Sequence, residues 1–316
     1  MESAPNPVKA ESFQTLFHNP PLVAFAQRVI TQSYVECAPG QEDAMRDLLG
    51  QAFAALSGAS HDAEAFQAAL IRVSAEVFRK PEPEFWFNAL YRRYKQEFKP
   101  GDRFRQLSDL LAGETVLDLG CGNGLTSAIV HQHGYRPYLT DVLDYRDPQA
   151  RDLPFAPMTN PHAIPYPGQH FDTGLVFAVL HHVAASDLLP LLGELRRACG
   201  RVIVEEDTYQ LRLDDPETAA ALQRDAMLRD FAALSLDDQL RYLMFIDYFA
   251  NAITQGLPQM EMPFNFKPVG EWLKLFEAQG WQVCRALIKG FQPNYFNRSC
   301  HVWFVLDTIP ANPKGL

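Results

Sequence analysis

Residues 115–124 read Thr-Val-Leu-Asp-Leu-Gly-Cys-Gly-Asn-Gly, and the fold is decided there. The first five residues have the pattern of a buried strand, and the chain then runs straight into three alternating glycines. Glycine at a strand-to-helix turn lets the backbone come close to a ligand. A helical stretch follows over 125–132, and its N-terminus favours a negatively charged ligand group. The second strand, 137–141, ends on Asp141, 17 positions beyond Gly124. A carboxylate there can accept hydrogen bonds from both hydroxyls of a ribose.

Outward from this point the alternation continues. Strands are expected at 172–180 and 201–205, with a helix between them capped by Ser186 and stopped by Gly200. A helix at 269–279 and strands at 281–288 and 301–306 close the pattern. Strands alternating with helices indicate an open, parallel α/β sheet. Upstream, residues 1–12 are polar and expected to fray, and 13–98 read as helices. Within that region 41–57 ends at Gly58, 62–79 is broken by Pro81 and Pro83, and 85–98 resumes. Residues 99–102 read as a turn before a short helix at 104–111. The sheet programme is interrupted at 206–267, where helices are expected at 216–234 and 236–255, the second capped by Ser235 with Asp238.

Four motifs carry a resemblance: VLDLGCGNG at 116–124, LTD at 139–141, IPYPGQHFD at 164–172 and VLHHV at 179–183. Together they resemble the class I S-adenosylmethionine-dependent methyltransferases, in their small-molecule branch. The resemblance is strong over 116–205, and 269–306 fits the last helix and two strands of that fold. It implies a Rossmann-like α/β fold with a mostly parallel seven-stranded sheet, an N-terminal helical region and a helical cap insertion. The expected division is 1–110 as a helical lid region, 111–205 as the cofactor-binding half of the core, 206–267 as the cap, and 268–316 as the completion of the sheet. A dinucleotide binder is the rival reading of the glycines. The spacing and the preceding Asp118 fit the methyltransferase better, because that carboxylate can take the ammonium of a methionine moiety and would repel a pyrophosphate.

The resemblance places Asp118, Gly120, Gly122 and Gly124 in the cofactor loop and makes Asp141 the ribose acid. Asn160 stands where the family often has an aspartate facing the adenine amino group, which it can still accept through its amide oxygen. Ile164 is expected against the adenine, and Phe177 beside the reactive methyl. His181 and His182 follow a strand end, where ligands of such sheets bind, and His181 is the candidate general base. The alternative for the pair is a loop opening that hydrogen-bonds backbone. No metal is expected, because adjacent side chains diverge and no cysteine or carboxylate cluster lies nearby in the sequence.

Acceptor recognition is expected in the insertion. The stretch 237–254 is apolar almost all round, yet Asp247 and Asn251 share a face at a spacing of four. They are either a buried structural pair or groups that orient a polar substrate, with Tyr248 alongside. The segment 260–266 (MEMPFNF) could close the site through Phe264 and Asn265, and 291–296 (FQPNYF) could form a wall through Phe296. Core packing is the alternative for both. Tyr91 and Tyr94 of the N-terminal region could aim inward over the cofactor.

Composition narrows the function classes. The chain has 316 residues and a formal net charge of −10, which disfavours nucleic acid as acceptor or partner. No run of about 18 apolar residues is present, and no secretory leader is visible, so a cytoplasmic monomer or homodimer with a small-molecule substrate is expected. The five cysteines are scattered and expected to be reduced. Aromatic residues reach 12%, which suits either a well-filled core or an aromatic-lined pocket. Methyl transfer to a small organic acceptor in a natural-product setting is the main expectation. Cyclisation of S-adenosylmethionine itself to azetidine-2-carboxylate and methylthioadenosine, and a non-catalytic nucleoside-binding module, are the two rivals.

Overall fold

Parallel strands that are covered on both faces need long apolar runs, and the centre of this chain supplies them. The computed structural model describes residues 13–80, 85–160, 162–256 and 262–308. The polar start at 1–12, the Pro81 and Pro83 break, and Met260 and Glu261 lie outside the described residues. The chain divides into two compact units. One is built from 96–218, 263–289 and 301–316, the other from 1–95, 219–262 and 290–300.

The first unit holds the sheet. Its strands are β1 (Thr115–Leu119), β2 (Arg136–Asp141), β3 (Phe155–Pro157), β4 (Phe171–Phe177), β5 (Cys199–Tyr209), β6 (Lys267–Pro268), β7 (Trp281–Gly290) and β8 (His301–Thr308). The path runs β3-β2-β1-β4-β5-β8-β7, while β6 pairs with β5 off that path. The neighbours from β3 to β5 are parallel, and β8 runs antiparallel to β5. The mostly parallel seven-strand path expected from the motifs is therefore present, with the two-residue β6 as an addition. Leu107, Leu110 and Val130 pack with Val116, Leu175, Ile203 and Val305 to form the core of this unit. The strand order reverses at β1, which has β2 on one side and β4 on the other. Ligands of open α/β sheets bind at the carboxyl ends beside such a reversal.

Several local readings are corrected here. Residues 99–102 are the first turn of the helix Lys99–Leu107, not a free turn. Pro100 sits in that first turn, where a missing N–H costs nothing. Ser186 is not a cap: the helix Ala185–Ala198 starts after Ala184, and the Ser186 hydroxyl bonds the carboxylate of Asp187. Gly200 lies within β5, and Gly58 lies within the helix Glu42–Ala59. The strand β3 was not anticipated.

The second unit is helical. Its elements include Pro20–Glu36, Glu42–Ala59, Ala63–Arg72, Trp86–Arg93, Ala226–Ala232 and Leu236–Tyr248, the last continuing as a π-helical turn over Phe249–Thr254. The pattern read at 216–234 splits at Asp225, whose carboxylate accepts the N–H of Leu228 at 3.0 Å and of Phe291 at 2.7 Å. Asp225 thereby starts a new helix. Ser235 caps as expected, its Oγ accepting the N–H of Asp238 at 3.1 Å. Aromatic rings fill the interior. Phe245 meets Phe13 and Phe17 at 6.1 and 5.7 Å, and Phe296 meets Tyr34 and Tyr94 at 4.8 Å each. Such pairs add about 0.5–1.5 kcal/mol each beyond area burial. Among the described residues no helix is long and apolar enough to cross a membrane.

Candidate active site

The glycine loop is built by steric necessity. Gly120 follows β1 at φ +71°, and its N–H donates to the carbonyl of Thr140 on β2 at 2.8 Å. A Cβ at Gly120 would lie 2.4 Å from Cγ2 of Val179. Gly124 caps the helix Leu125–Gln132 at φ +72°, and a Cβ there would lie 2.7 Å from Cβ of Ala150. Gly122 differs: its nearest atom, the Tyr145 hydroxyl, would stand 3.4 Å from an added Cβ. The first and third glycines thus answer to the protein's own packing, and the second keeps the backbone open.

Two carboxylates flank this loop. Asp118 is buried at the end of β1 and accepts the Ser127 hydroxyl at 2.6 Å. Burial pushes its carboxyl up to about 6, opposed by the Ser127 hydrogen bond and the Arg103 charge. Asp141 accepts the N–H of Gly122 at 2.8 Å and of Leu143 at 3.3 Å. Burial raises Asp141 too, against those backbone donors. The next residues, Val142, Leu143 and Tyr145, are exposed apolar side chains beside that carboxylate. The set suits a nucleoside joined to an amino acid: one buried acid, one acid at the next strand end, open backbone between them, and apolar surface alongside.

The remaining residues expected around the cofactor are placed as follows. Ile164 is buried. Asn160 is exposed, and its amide oxygen accepts the N–H of His162 at 2.9 Å. Phe177 ends β4, and the guanidinium of Arg103 lies over its ring at 4.7 Å. Arg103, on the helix before β1, also pairs with Glu205 at 2.9 Å. Sequence reasoning missed Arg103, since an arginine on a helix with no motif carries no signal of its own.

After β4 the chain passes through Ala178, a non-glycine residue at φ +56°, into the short turn Leu180–His182. His181 is buried, and its Nδ1 lies 2.6 Å from Oε2 of Glu206 on β5. The two histidine rings do not diverge as expected of neighbours: their centroids lie 4.3 Å apart, with the ring planes tilted by 43°. Asn265 braces this turn, donating its N–H to the His181 carbonyl at 2.9 Å and its amide to the Val183 carbonyl at 3.3 Å. Phe266 stacks on His181 at 4.6 Å, and Phe264 stacks on Phe266 at 6.3 Å.

In the helical unit, Asn251 donates to Oδ1 of Asp247 at 2.7 Å. The chain extends further than the sequence suggested: Gln255 donates to Asn251 at 3.0 Å, and Lys95 donates to Gln255 at 3.0 Å. Tyr248 packs on Phe13 at 4.7 Å, and burial raises its hydroxyl to about 12. Phe296 is fully buried among Tyr34, Phe87, Tyr91 and Tyr94. Its side chain belongs to the core of that unit, where the Tyr91 and Tyr94 rings pack on it.

Comparison with known proteins adds a family. Residues 117–201 match the family described as Methyltransferase domain. Among solved structures, magnesium protoporphyrin IX methyltransferase from Synechocystis PCC 6803 is 13% identical, over 66% of this chain and 82% of that one, at a TM-score of 0.41. The 1,6-didemethyltoxoflavin-N1-methyltransferase of Burkholderia thailandensis is 12% identical, over 70% and 82%, at 0.43. The pyocyanin biosynthetic protein PhzM is 19% identical, over 84% and 72%, at 0.43. No curated protein sequence matches. The matched stretch runs from β1 into β5 and carries both the glycine loop and the strand-order reversal, on a sheet whose late antiparallel strand follows five parallel ones. Residues 117–201, from β1 into β5, are therefore similar to a methyltransferase domain, as the glycine-loop motifs led us to expect.

Proposed function

We propose that this chain transfers the methyl group of S-adenosylmethionine to an oxygen, nitrogen or carbon nucleophile on a small organic acceptor, in a natural-product setting. The observation that carries the reading is the buried His181 imidazole just past β4, in the same unit as the glycine loop. The cofactor supplies a methyl group already activated on a sulfonium, so positioning can provide much of the acceleration.

The chain's own residues divide the remaining work. Asp118 takes the ammonium of the methionine moiety, with the Arg103–Glu205 ion pair behind Phe177. Asp141 holds the ribose hydroxyls, and Gly120, Gly122 and Gly124 keep the backbone clear. Ile164 packs on the adenine, and Asn160 accepts from its amino group through the second lone pair of its amide oxygen. Phe177 lines the methyl end. His181 takes the proton that the acceptor gives up. Asn265 holds the histidine turn and Phe264 stacks on the Phe266 ring that packs against His181.

The test is label transfer. The protein is incubated with methyl-labelled S-adenosylmethionine and, in parallel, a small-molecule extract, RNA, DNA and protein. Label entering the low-mass fraction, lost in Asp141→Ala, supports the reading. Label confined to a polymer contradicts it.

A further inference from the structure

The strand β5 carries three consecutive acids, Glu205, Glu206 and Asp207, ahead of its last two residues, and alternation along a strand sends neighbours to opposite faces. Glu205 pairs with Arg103, whereas Glu206 turns to the His181 side. The Glu206 side chain is wholly buried, and its two oxygens are divided. Oε1 accepts the N–H of Val179 at 3.2 Å and of Leu180 at 2.7 Å. Oε2 faces Nδ1 of His181 at 2.6 Å.

We propose that Glu206 is a positioning residue that fixes the tautomer of His181, with the proton on Nδ1 and the lone pair on Nε2; the catalytic value of this rests on His181 being the base. A carboxylate has no proton to donate, so the short contact requires hydrogen on Nδ1. A neutral imidazole protonated there presents Nε2 as its basic atom. The two backbone donors come from the turn that carries the histidine, so one carboxylate sets both the path of that turn and the tautomer of the ring. Phe266 stacked at 4.6 Å and 19° limits ring rotation, and Asn265 holds the His181 carbonyl at 2.9 Å. Glu206 was invisible to sequence reasoning because it lies 25 residues from His181. The two meet only through the parallel β4–β5 register, which pairs Phe177 with Glu205.

The substitution Glu206→Gln separates this role from simple bracing. A glutamine can keep its oxygen on the Val179 and Leu180 N–H groups, which leaves its NH₂ facing Nδ1. That NH₂ donates, so the ring must flip to the Nε2–H tautomer. The experiment is long-range ¹H–¹⁵N NMR at pH 8 on the full chain labelled with ¹⁵N-histidine, with His181→Gln used to assign the resonances. The expected result is hydrogen on Nδ1 alone in the parent protein and on Nε2 alone in Glu206→Gln. Hydrogen on Nε2 alone, or on both nitrogens, in the parent overturns the proposal, and that spectrum decides the matter even if the variant does not fold. An unchanged tautomer in a folded Glu206→Gln also overturns it. The tautomer is read without any acceptor, so its outcome is independent of whether His181 takes a proton during methyl transfer.

Discussion

Lowering the pH from 7 to 5 should weaken binding of S-adenosylhomocysteine, which carries the same ammonium and ribose as the cofactor, by about tenfold. The reasoning starts from Asp118, which burial raises from the ordinary aspartate range to about 6. Its folded value lies above its unfolded one. The stability linked to this proton is therefore fully present below about pH 4 and lost as pH rises through 6, at a cost of about 3 kcal/mol to the empty protein at neutral pH. An ammonium beside the carboxylate offsets that cost, because it favours the ionised form. Ligand binding then requires the ionised acid, and at pH 5 only about a tenth of the empty protein has it. Asp141, also raised by burial, acts in the same direction. The assay is isothermal titration calorimetry at several pH values, in two buffers of different ionisation enthalpy so that proton release is counted directly. Ser127→Ala removes the hydrogen bond that opposes the rise and should move the transition to higher pH. Asp118→Asn should abolish the Asp118 share of the dependence and leave affinity low throughout. A dissociation constant unchanged between pH 5 and 7 with no proton released would refute the reasoning.

Three further outcomes follow from the geometry. Gly120→Ala combines a left-handed backbone with a contact of 2.4 Å to Val179 and should cost about 3 kcal/mol in urea denaturation; a loss under about 0.5 kcal/mol contradicts the steric account. Asp141→Ala should weaken S-adenosylhomocysteine at least about tenfold at pH 7, and equal affinity removes the ribose assignment. Glu36→Ala leaves the buried Arg298 guanidinium without its carboxylate and should cost about 2 kcal/mol, less than a fully buried pair because Glu36 is a third exposed; an unchanged denaturation midpoint contradicts it.

The chemistry-bearing half of the fold was legible because its signals are local. A strand, a glycine turn and a helix are contiguous over 115–132, and the Asp141 carboxylate follows at the next strand end. What escaped the sequence depends on distant partners or on short elements. The strand β3 has only three residues, Phe155, Ala156 and Pro157, too few to show alternation. The first turn of Lys99–Leu107 hid behind Pro100 and Gly101, residues that mark a turn unless the chain happens to enter a helix there. The Asp247–Asn251 pair was visible from its spacing, but its extension through Gln255 to Lys95 crosses 160 residues. Arg103 and Glu206 gain meaning only from strands and helices packed beside them. The aromatic excess is resolved in part: Phe245, Phe249 and Phe296 fill the core of the helical unit.

The most direct test of the account is the nucleoside left behind. The purified protein is incubated with S-adenosylmethionine, first alone and then with a small-molecule extract, and the nucleoside products are identified by mass spectrometry. The account predicts S-adenosylhomocysteine that forms only when an acceptor is present. Methylthioadenosine formed from the cofactor alone would contradict methyl transfer and replace it with cyclisation of S-adenosylmethionine.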